Sequence, residues 1–393
     1  MATLSFQEAR QCVIEWIGPA VAVEQVALDD ACGRVLAESV EADRDYPATA
    51  RSVRDGFAIR SEDTPGRLRI IGEVAAGAAF GGEVGRGEAV EIMTGAPVPR
   101  GADAVVMVEH VTRDGEYVAV PVAGPGQFVN PQGCEARAGE ELLAPGHRVG
   151  YTEVALLAAV GRTAMRVYSR PRVAVLATGD EIVGVSELPL PYQIRNSNAY
   201  SLAAQVQRAG GVPEILPVAR DSEESTRTLI ERGLTHDLLL ISGGVSAGKY
   251  DVVERVLASL GAEFFFDRVL IQPGQPLVFG RARDKFFFGL PGNPASTMVT
   301  FELFARAAIE LLGGQREVRL PLTLARLTTP FRHKPGLTRF LPARLSEDGT
   351  ELTPVPWHGS GDIPAMTRAN ALLVAWAERE RWGAGDFMRV LMK

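Results

Sequence analysis

The stretch from Asp237 to Asp251, DLLLISGGVSAGKYD, places the tightest limit on how this chain can fold. It opens with Leu238-Leu239-Leu240-Ile241, an apolar run long enough for a strand buried on both faces. The run stops at Ser242-Gly243-Gly244-Val245-Ser246, a turn with no bulky side chain over its backbone. Asp251 then starts a helical pattern through Val252, Val253, Val256, Leu257 and Leu260. A buried strand, a glycine turn and a helix start leave backbone N–H groups facing outward, which suits an anion such as phosphate. Taken alone, the same residues also serve as a tight connection that binds nothing.

This stretch belongs to a longer alternation of strand, loop and helix from Arg172 to Leu312. That order predicts a parallel sheet with helices on both faces. Expected strands are Arg172–Leu176, Val212–Val218, Phe264–Leu270, Leu277–Phe279 and Phe286–Leu290, with a long helix capped by Asn293 and opened by Pro294. Ligands of open parallel sheets sit outside the carboxyl ends of the strands. Those ends carry Thr178-Gly179-Asp180-Glu181, Asp221, Ser242–Ser246 and Pro291–Ser296. Asp180, Glu181, Asp221 and Asp251 would repel a phosphate there unless Mg²⁺ bridges them, and Mg²⁺ typically binds one or two carboxylates plus substrate phosphate. The residues therefore point to Mg²⁺-assisted phosphoanhydride chemistry, with the metal polarising phosphoryl oxygens or orienting water. Each acid alone is equally a helix cap or a solvated loop residue; several on one edge favour function. No Walker lysine follows the glycines and no GxGxxG occurs, which disfavours kinase and dinucleotide readings.

A length of 393 residues suggests two to four domains. Ser5-x-x-Glu8 is a capping box ahead of Phe6, Ala9, Val13 and Ile17, one amphipathic helix. Residues 44–127 read as short strands between turns and are expected to form a β-rich inserted domain. The flanking 1–43 and 128–170 are expected to form one discontinuous mixed domain, in which the helix beginning at Thr152 packs back on the N-terminal helix. Residues 171–314 are the αβ domain, and 315–393 read as a small C-terminal β-barrel. Asp55, in Ser52–Ala58, and Thr94, in Ile92–Pro99, are ordinary turn residues when read alone. The net charge of −7, with no long Lys/Arg run, argues against nucleic acid. Three cysteines without a CxxC argue against a disulfide framework or structural zinc. No transmembrane-length stretch and no N-terminal signal pattern is present, so a cytoplasmic protein without membrane contact is expected.

Six blocks carry a family resemblance. They are Asp55-Gly56-Phe57-Ala58, Ile92–Pro97, Thr178–Glu181, Ser242–Ser246, Gly289–Pro294 and His358-Gly359-Ser360. Their order resembles that in the molybdopterin molybdenumtransferases, the MoeA proteins and the gephyrin E domain, over essentially the whole chain. The resemblance implies a homodimer of elongated four-domain subunits with a shared active site. It implies Mg²⁺-dependent cleavage of adenylylated molybdopterin, with release of AMP as molybdate, or tungstate in its place, is loaded on the dithiolene. By position it assigns Glu181, Asp221 and Asp251 to Mg²⁺ and catalysis, with Asp55 and Thr94 reaching the same site from the partner subunit. The substrate would meet Thr178, Gly179, Asp180, Ser242, Gly243, Gly244 and Ser246, then Gln272, Gln275, Pro291, Gly292, Asn293 and Pro294. Ser296 and Ser360 would lie near the oxyanion.

The chain also departs from the family pattern. Gln272-Pro273-Gly274-Gln275-Pro276 stands where relatives usually carry Lys-Pro-Gly-Lys-Pro, Asn130-Pro131-Gln132 replaces an Arg-rich run, with Glu135 as the acid that follows it, and Pro342 replaces an arginine for which Arg339 or Arg344 is the candidate substitute. Two other functions fit the same pocket. A non-catalytic pterin carrier would have less need of the acids, and a molybdopterin adenylyltransferase would have less need of the β-rich domains and the Ser360 block.

Overall fold

The computed structural model describes residues 3–18, 22–244 and 252–393. Its helices, in chain order, are α1 (Phe6–Trp16), α2 (Tyr151–Ala159), α3 (Ser197–Arg208), α4 (Glu223–Gly233), α5 (Val252–Ser259), α6 (Pro294–Thr300), α7 (Arg306–Leu312) and α8 (Ile363–Arg368). The strand Leu238–Ser242 is buried at all five residues. Alternate side chains point to opposite faces of a sheet, and the strand uses both. Leu238 and Leu240 enter one core with Leu202 of α3 and Val299 of α6, while Leu239 and Ile241 enter a second with Ile230 of α4 and Val256 of α5. This is the helix–sheet–helix sandwich that the apolar run predicts.

The sheet has seven strands in the order Thr3–Leu4, Glu263–Val269, Pro276–Ala282, Lys285–Leu290, Leu238–Ser242, Arg172–Ala177, Val212–Ile215. One strand breaks the expected parallel pattern: Pro276–Ala282 runs antiparallel to both neighbours. It is joined to Lys285–Leu290 by the two-residue turn Arg283-Asp284, whose φ values of 48° and 60° are both positive. Two-residue turns of that kind match the twist of a hairpin and force antiparallel pairing. The carboxyl ends of the parallel strands and the start of Pro276–Ala282 consequently share one edge.

The N-terminal helix corrects a second expectation. Its capping box is present, with Ser5 N–H donating to Glu8 Oε2 (2.8 Å) and Glu8 N–H donating to Ser5 Oγ (3.3 Å). The helix does not pack on α2, however. Thr3 and Leu4 extend the large sheet beside Arg268 and Val269, and Phe6, Ala9, Val13 and Ile17 join the αβ core. There Phe6 meets Phe304 and Phe340 edge-on, at centroid distances of 5.9 and 5.1 Å. The αβ core offers that apolar face more aromatic surface than α2, which instead closes over Ala31, Leu36 and Val40. Between α6 and α7 the helix widens into a π turn, Phe301–Ala305. Arg10 of α1 donates to the Leu303 carbonyl in that turn (2.6 Å) and to the Val318 carbonyl (3.1 Å). Burial, with help from Arg306, lowers the Arg10 guanidinium to about 10.

Residues 23–41 pair with 141–168 through Val23–Ala27 on Ala164–Tyr168 and Val40–Glu41 on Glu141–Leu143. Between them lies a six-stranded sheet, ordered Ala104–Met107, Gly56–Ile59, Glu88–Ile92, Gly66–Val74, Tyr117–Val120, Thr112–Asp114. At the C-terminus Thr338–Leu345, Glu351–Pro354, Leu322–Leu327, Phe387–Met392 and Ala371–Ala375 close into a five-stranded barrel, which removes exposed edges. The short strand Ile271–Gln272 pairs in parallel with Thr338 and Arg339, stitching the barrel to the αβ unit.

Phe279 anchors the larger core. It is fully buried, stacks on Phe288 at 4.7 Å and touches Phe265, Phe266 and Phe286. Phe279→Ala is expected to cost about 3–5 kcal/mol, read as a lower denaturant midpoint at unchanged slope. A loss under about 1 kcal/mol would contradict this packing account.

Candidate functional site

The shared edge opens into a cleft of about 290 Å³ lined by Thr178, Glu181, Ile182, Ile194–Asn198, Ser242, Gly243 and Gly292–Pro294. Each wall follows from a strand that ends where its apolar run stops. Thr178 follows Arg172–Ala177, and its N–H donates to the Ser242 carbonyl of the next strand (3.1 Å). Gly243 N–H donates in turn to the Leu290 carbonyl (3.1 Å), so the three strand ends are tied in a row. Gly243 and Gly244 turn the chain away with φ of 90° and 65°. On the far side, α6 begins at Asn293 and Pro294 as expected, but the Asn293 side chain makes no capping bond.

Asn198, a residue that the sequence reading did not single out, joins these pieces. Its Nδ2 donates both to Ser242 Oγ (2.8 Å) and to the Gly292 carbonyl (2.8 Å), bridging two loops of the cleft. Its Oδ1 is buried without a partner among the described residues. Asn196 caps α3 through Ala199 N–H (3.2 Å), so the N-termini of α3 and α6 both face the cleft. Helix N-termini favour anions. Arg195 adds a guanidinium to the lining. The signal was present in the sequence as Asn196-Ser197-Asn198, a cap pattern at the start of a helical stretch.

The acids are less gathered. Glu181 lines the cleft, and its carboxylate folds over Gly179. Gly179 has φ of 140°, which favours glycine, and a Cβ there would lie 2.5 Å from Glu181 Oε2, so a larger residue would have to push the carboxylate aside. Asp180 Oδ1 accepts the Asp221 N–H (3.2 Å), joining two strand-end loops beside the cleft. Asp251 and Ser246 lie outside the described residues, and among the described residues no group of three His, Cys, Asp or Glu side chains gathers as a metal site. Glu181 puts a carboxylate in the cleft lining, the donor type that Mg²⁺ takes together with phosphate oxygens.

Other assigned residues lie around the rim. Pro291 is buried, and its carbonyl accepts Thr297 Oγ1 (2.5 Å); Ser296 is buried inside α6. The Ser360 carbonyl accepts Ala295 N–H (2.9 Å), which seats a barrel loop on the first turn of α6. Gln272 and Gln275 lie half-buried in the loop entering Pro276–Ala282, on the same edge, with Gln272 paired to Arg339. Gly274 between them has φ of 102°, and a Cβ there would come 2.3 Å from Thr300 Cγ2, so the loop is pressed onto α6. Arg339 Nε is buried without a partner among the described residues, and burial lowers its guanidinium pKa. Asp55 and Thr94 do not line the cleft; they pair with each other on the six-stranded unit. Asp55 Oδ1 accepts both Thr94 N–H (2.6 Å) and Thr94 Oγ1 (2.7 Å), and these two bonds lower the Asp55 pKa.

An αβ unit with a cleft at its strand ends, a six-stranded β unit and a closed C-terminal barrel make up the chain. Family models agree: MoeA N-terminal region (domain I and II) matches residues 4–161, a probable molybdopterin binding domain matches 174–311, and MoeA C-terminal region (domain IV) matches 324–392. A molybdopterin molybdenumtransferase of Bacillus subtilis is 34% identical over 385 residues, covering 94% of this chain and 89% of its own length. One of Staphylococcus epidermidis is 32% identical over 378 residues, covering 93% and 90%. The molybdopterin biosynthesis moeA protein of Pyrococcus horikoshii OT3 superposes with a TM-score of 0.84 over the full length of both chains at 28% identity. This chain belongs to the MoeA family of molybdopterin molybdenumtransferases.

Gly179→Ala is expected to swing the Glu181 carboxylate away from the cleft and cost about 1–3 kcal/mol. A crystal structure and a thermal melt of the variant check both; an unmoved Glu181 would contradict the contact described.

Proposed function

We propose that the chain inserts molybdenum from molybdate into adenylylated molybdopterin, in the cytoplasm, with Mg²⁺ bound and AMP released. The observation that carries this reading is the convergence of Thr178–Glu181, Ser242-Gly243 and Gly292–Pro294 on one cleft at the strand ends of a MoeA-family chain. Phosphate oxygens would meet the N-terminus of α3, where Ser197 and Asn198 line the cleft. Glu181, with Asp221 and Asp251, would hold Mg²⁺, which when bound polarises the phosphoanhydride oxygens. Asp55, kept ionised by its two bonds from Thr94, would present a fixed negative charge and hydrogen-bond acceptor to the substrate.

Because Asp55 and Thr94 do not line the cleft, the reading places them there from a second copy of the chain, in a homodimer with a shared active site. An exposed apolar stretch beside the cleft supports this: Leu188 is 88% and Tyr192 74% accessible, with Val185, Leu190, Ile194 and Tyr200 also exposed. We also propose the four-domain division set out above, save that residues 3–16 are grouped with the αβ unit. The Gln272–Gln275 loop would face the oxyanion with neutral donors, and Arg339, in register with Gln272, would bring the cation that a lysine otherwise supplies. Charge-assisted bonds are roughly twice as strong as neutral ones.

The deciding measurement is AMP release from adenylylated molybdopterin with Mg²⁺, with and without molybdate. Molybdate-stimulated release is expected, and Glu181→Ala is expected to lower it by at least about a hundredfold with the fold intact. Tight binding without release would instead indicate a carrier. Gln272→Lys combined with Gln275→Lys is expected to lower the apparent KM for molybdate by roughly tenfold; an unchanged KM would remove these glutamines from the oxyanion site.

A further inference from the structure

Asn198 is the second residue of α3, a helix capped by Asn196 and buried along Ala199, Leu202 and Val206. The start of the helix is also tied to the chain before it, since Asn196 N–H donates to the Val183 carbonyl (3.0 Å). A side chain in this place is carried on a fixed support. Residues two apart on a strand share a face of the sheet, so Ser242 points to the α3 side with Leu238 and Leu240. The strand thereby delivers the buried Ser242 hydroxyl to the amide of Asn198.

The direction of both Asn198 bonds follows from the groups involved. The Gly292 carbonyl can only accept, so the NH₂ faces it (2.8 Å) and the amide cannot be turned over. The second NH₂ hydrogen goes to Ser242 Oγ (2.8 Å). Asparagine supplies two donors on a short stem, where serine offers one and aspartate none. The two loops that it joins come close to each other. A Cβ at Gly292 would lie 3.7 Å from Gly243 Cα, and a Cβ at Gly243 would lie 2.9 Å from the Thr178 carbonyl oxygen. Past the Gly243 N–H bond to the Leu290 carbonyl, Asn198 is the one hydrogen-bonded link between Ser242-Gly243 and Gly292–Pro294 among the described residues.

We propose that Asn198 is a positioning residue that sets the spacing of the Gly243 and Gly292 walls, and thereby the affinity of the cleft for adenylylated molybdopterin. The proposal rests on the reading of this cleft as the substrate site. Without the link the walls take more than one spacing, and apparent affinity falls with the fraction of molecules that keep the binding one. The loss belongs in Kd and KM rather than in kcat, because bound substrate restores the spacing.

The test is calorimetric titration of the full chain with adenylylated molybdopterin, run beside AMP release with Mg²⁺ and molybdate. Asn198→Ala is expected to raise Kd and KM about tenfold, with kcat changed by less than about twofold. Asn198→Asp keeps the size but cannot donate, and is expected to weaken binding at least as much. Should Asn198→Ala fail to fold, Asn198→Asp decides. The losses from Asn198→Ala and Ser242→Ala are expected to overlap in the double variant, since both remove the same bond. A crystal structure of Asn198→Ala without substrate is expected to show Gly292 farther from Gly243. Failure of the two readings separates: a wild-type chain that binds but releases no AMP removes the insertase reading, and its Kd against that of Asn198→Ala still decides the role of Asn198. Unchanged Kd in Asn198→Ala, a lower kcat at unchanged KM, losses that add in full, or an unmoved Gly292 would overturn the proposal.

Discussion

Burial of Leu238–Ser242 on both faces is the constraint on which the remaining structure depends. A strand whose alternate side chains enter two separate cores cannot slide by one residue without exchanging them. Its register against Arg172–Ala177 and Lys285–Leu290 is thereby fixed, with Leu239 between Ala174 and Phe287. Fixing those registers aligns three strand ends, and the hydrogen bonds from Thr178 N–H and Gly243 N–H across the row follow from that alignment. The cleft is thus the place where the apolar part of each strand runs out.

Around this edge the site is held by hydrogen bonds between elements that are far apart in the chain. Asn198 links the Ser242 turn to the Gly292 loop, Asp180 links its own loop to Asp221, and the Ser360 carbonyl links the barrel to α6. None of these bonds is local in sequence. A change in any one loop is therefore transmitted to its neighbour through a single hydrogen bond, which is how a site on loops can still be positioned by a scaffold.

Much of the fold was legible because its signals are local. The Ser5/Glu8 box, the Leu238–Ile241 run, Pro294 at the first turn of α6 and the even strand spacing of the barrel each needed only a few neighbouring residues. The antiparallel strand was missed because Arg283-Asp284 adopts a turn usually marked by Asn-Gly or Asp-Gly. The seat of α1 was misjudged because its apolar face fits any core, and the choice between α2 and Phe304 is decided by tertiary packing. Within the cleft, Thr178, Glu181, Ser242, Gly243 and Gly292–Pro294 were legible as strand ends. Asn198 was not, because its partners Ser242 and Gly292 lie 44 and 94 residues further along the chain.

The seat of α1 also bears on how the chain is made. Thr3 pairs beside Arg268, and Phe6 packs on Phe304 and Phe340. During synthesis from the N-terminus, the first helix emerges with its apolar face ready and must wait for most of the chain before its partners exist. The intervening sheets can close on themselves meanwhile, since their pairings fall within residues 23–168. The segment Thr3–Ile17 thus meets its partners only once Arg268, Phe304 and Phe340 have been made. That delay leaves Phe6, Val13 and Ile17 as the segment most in need of protection on the ribosome.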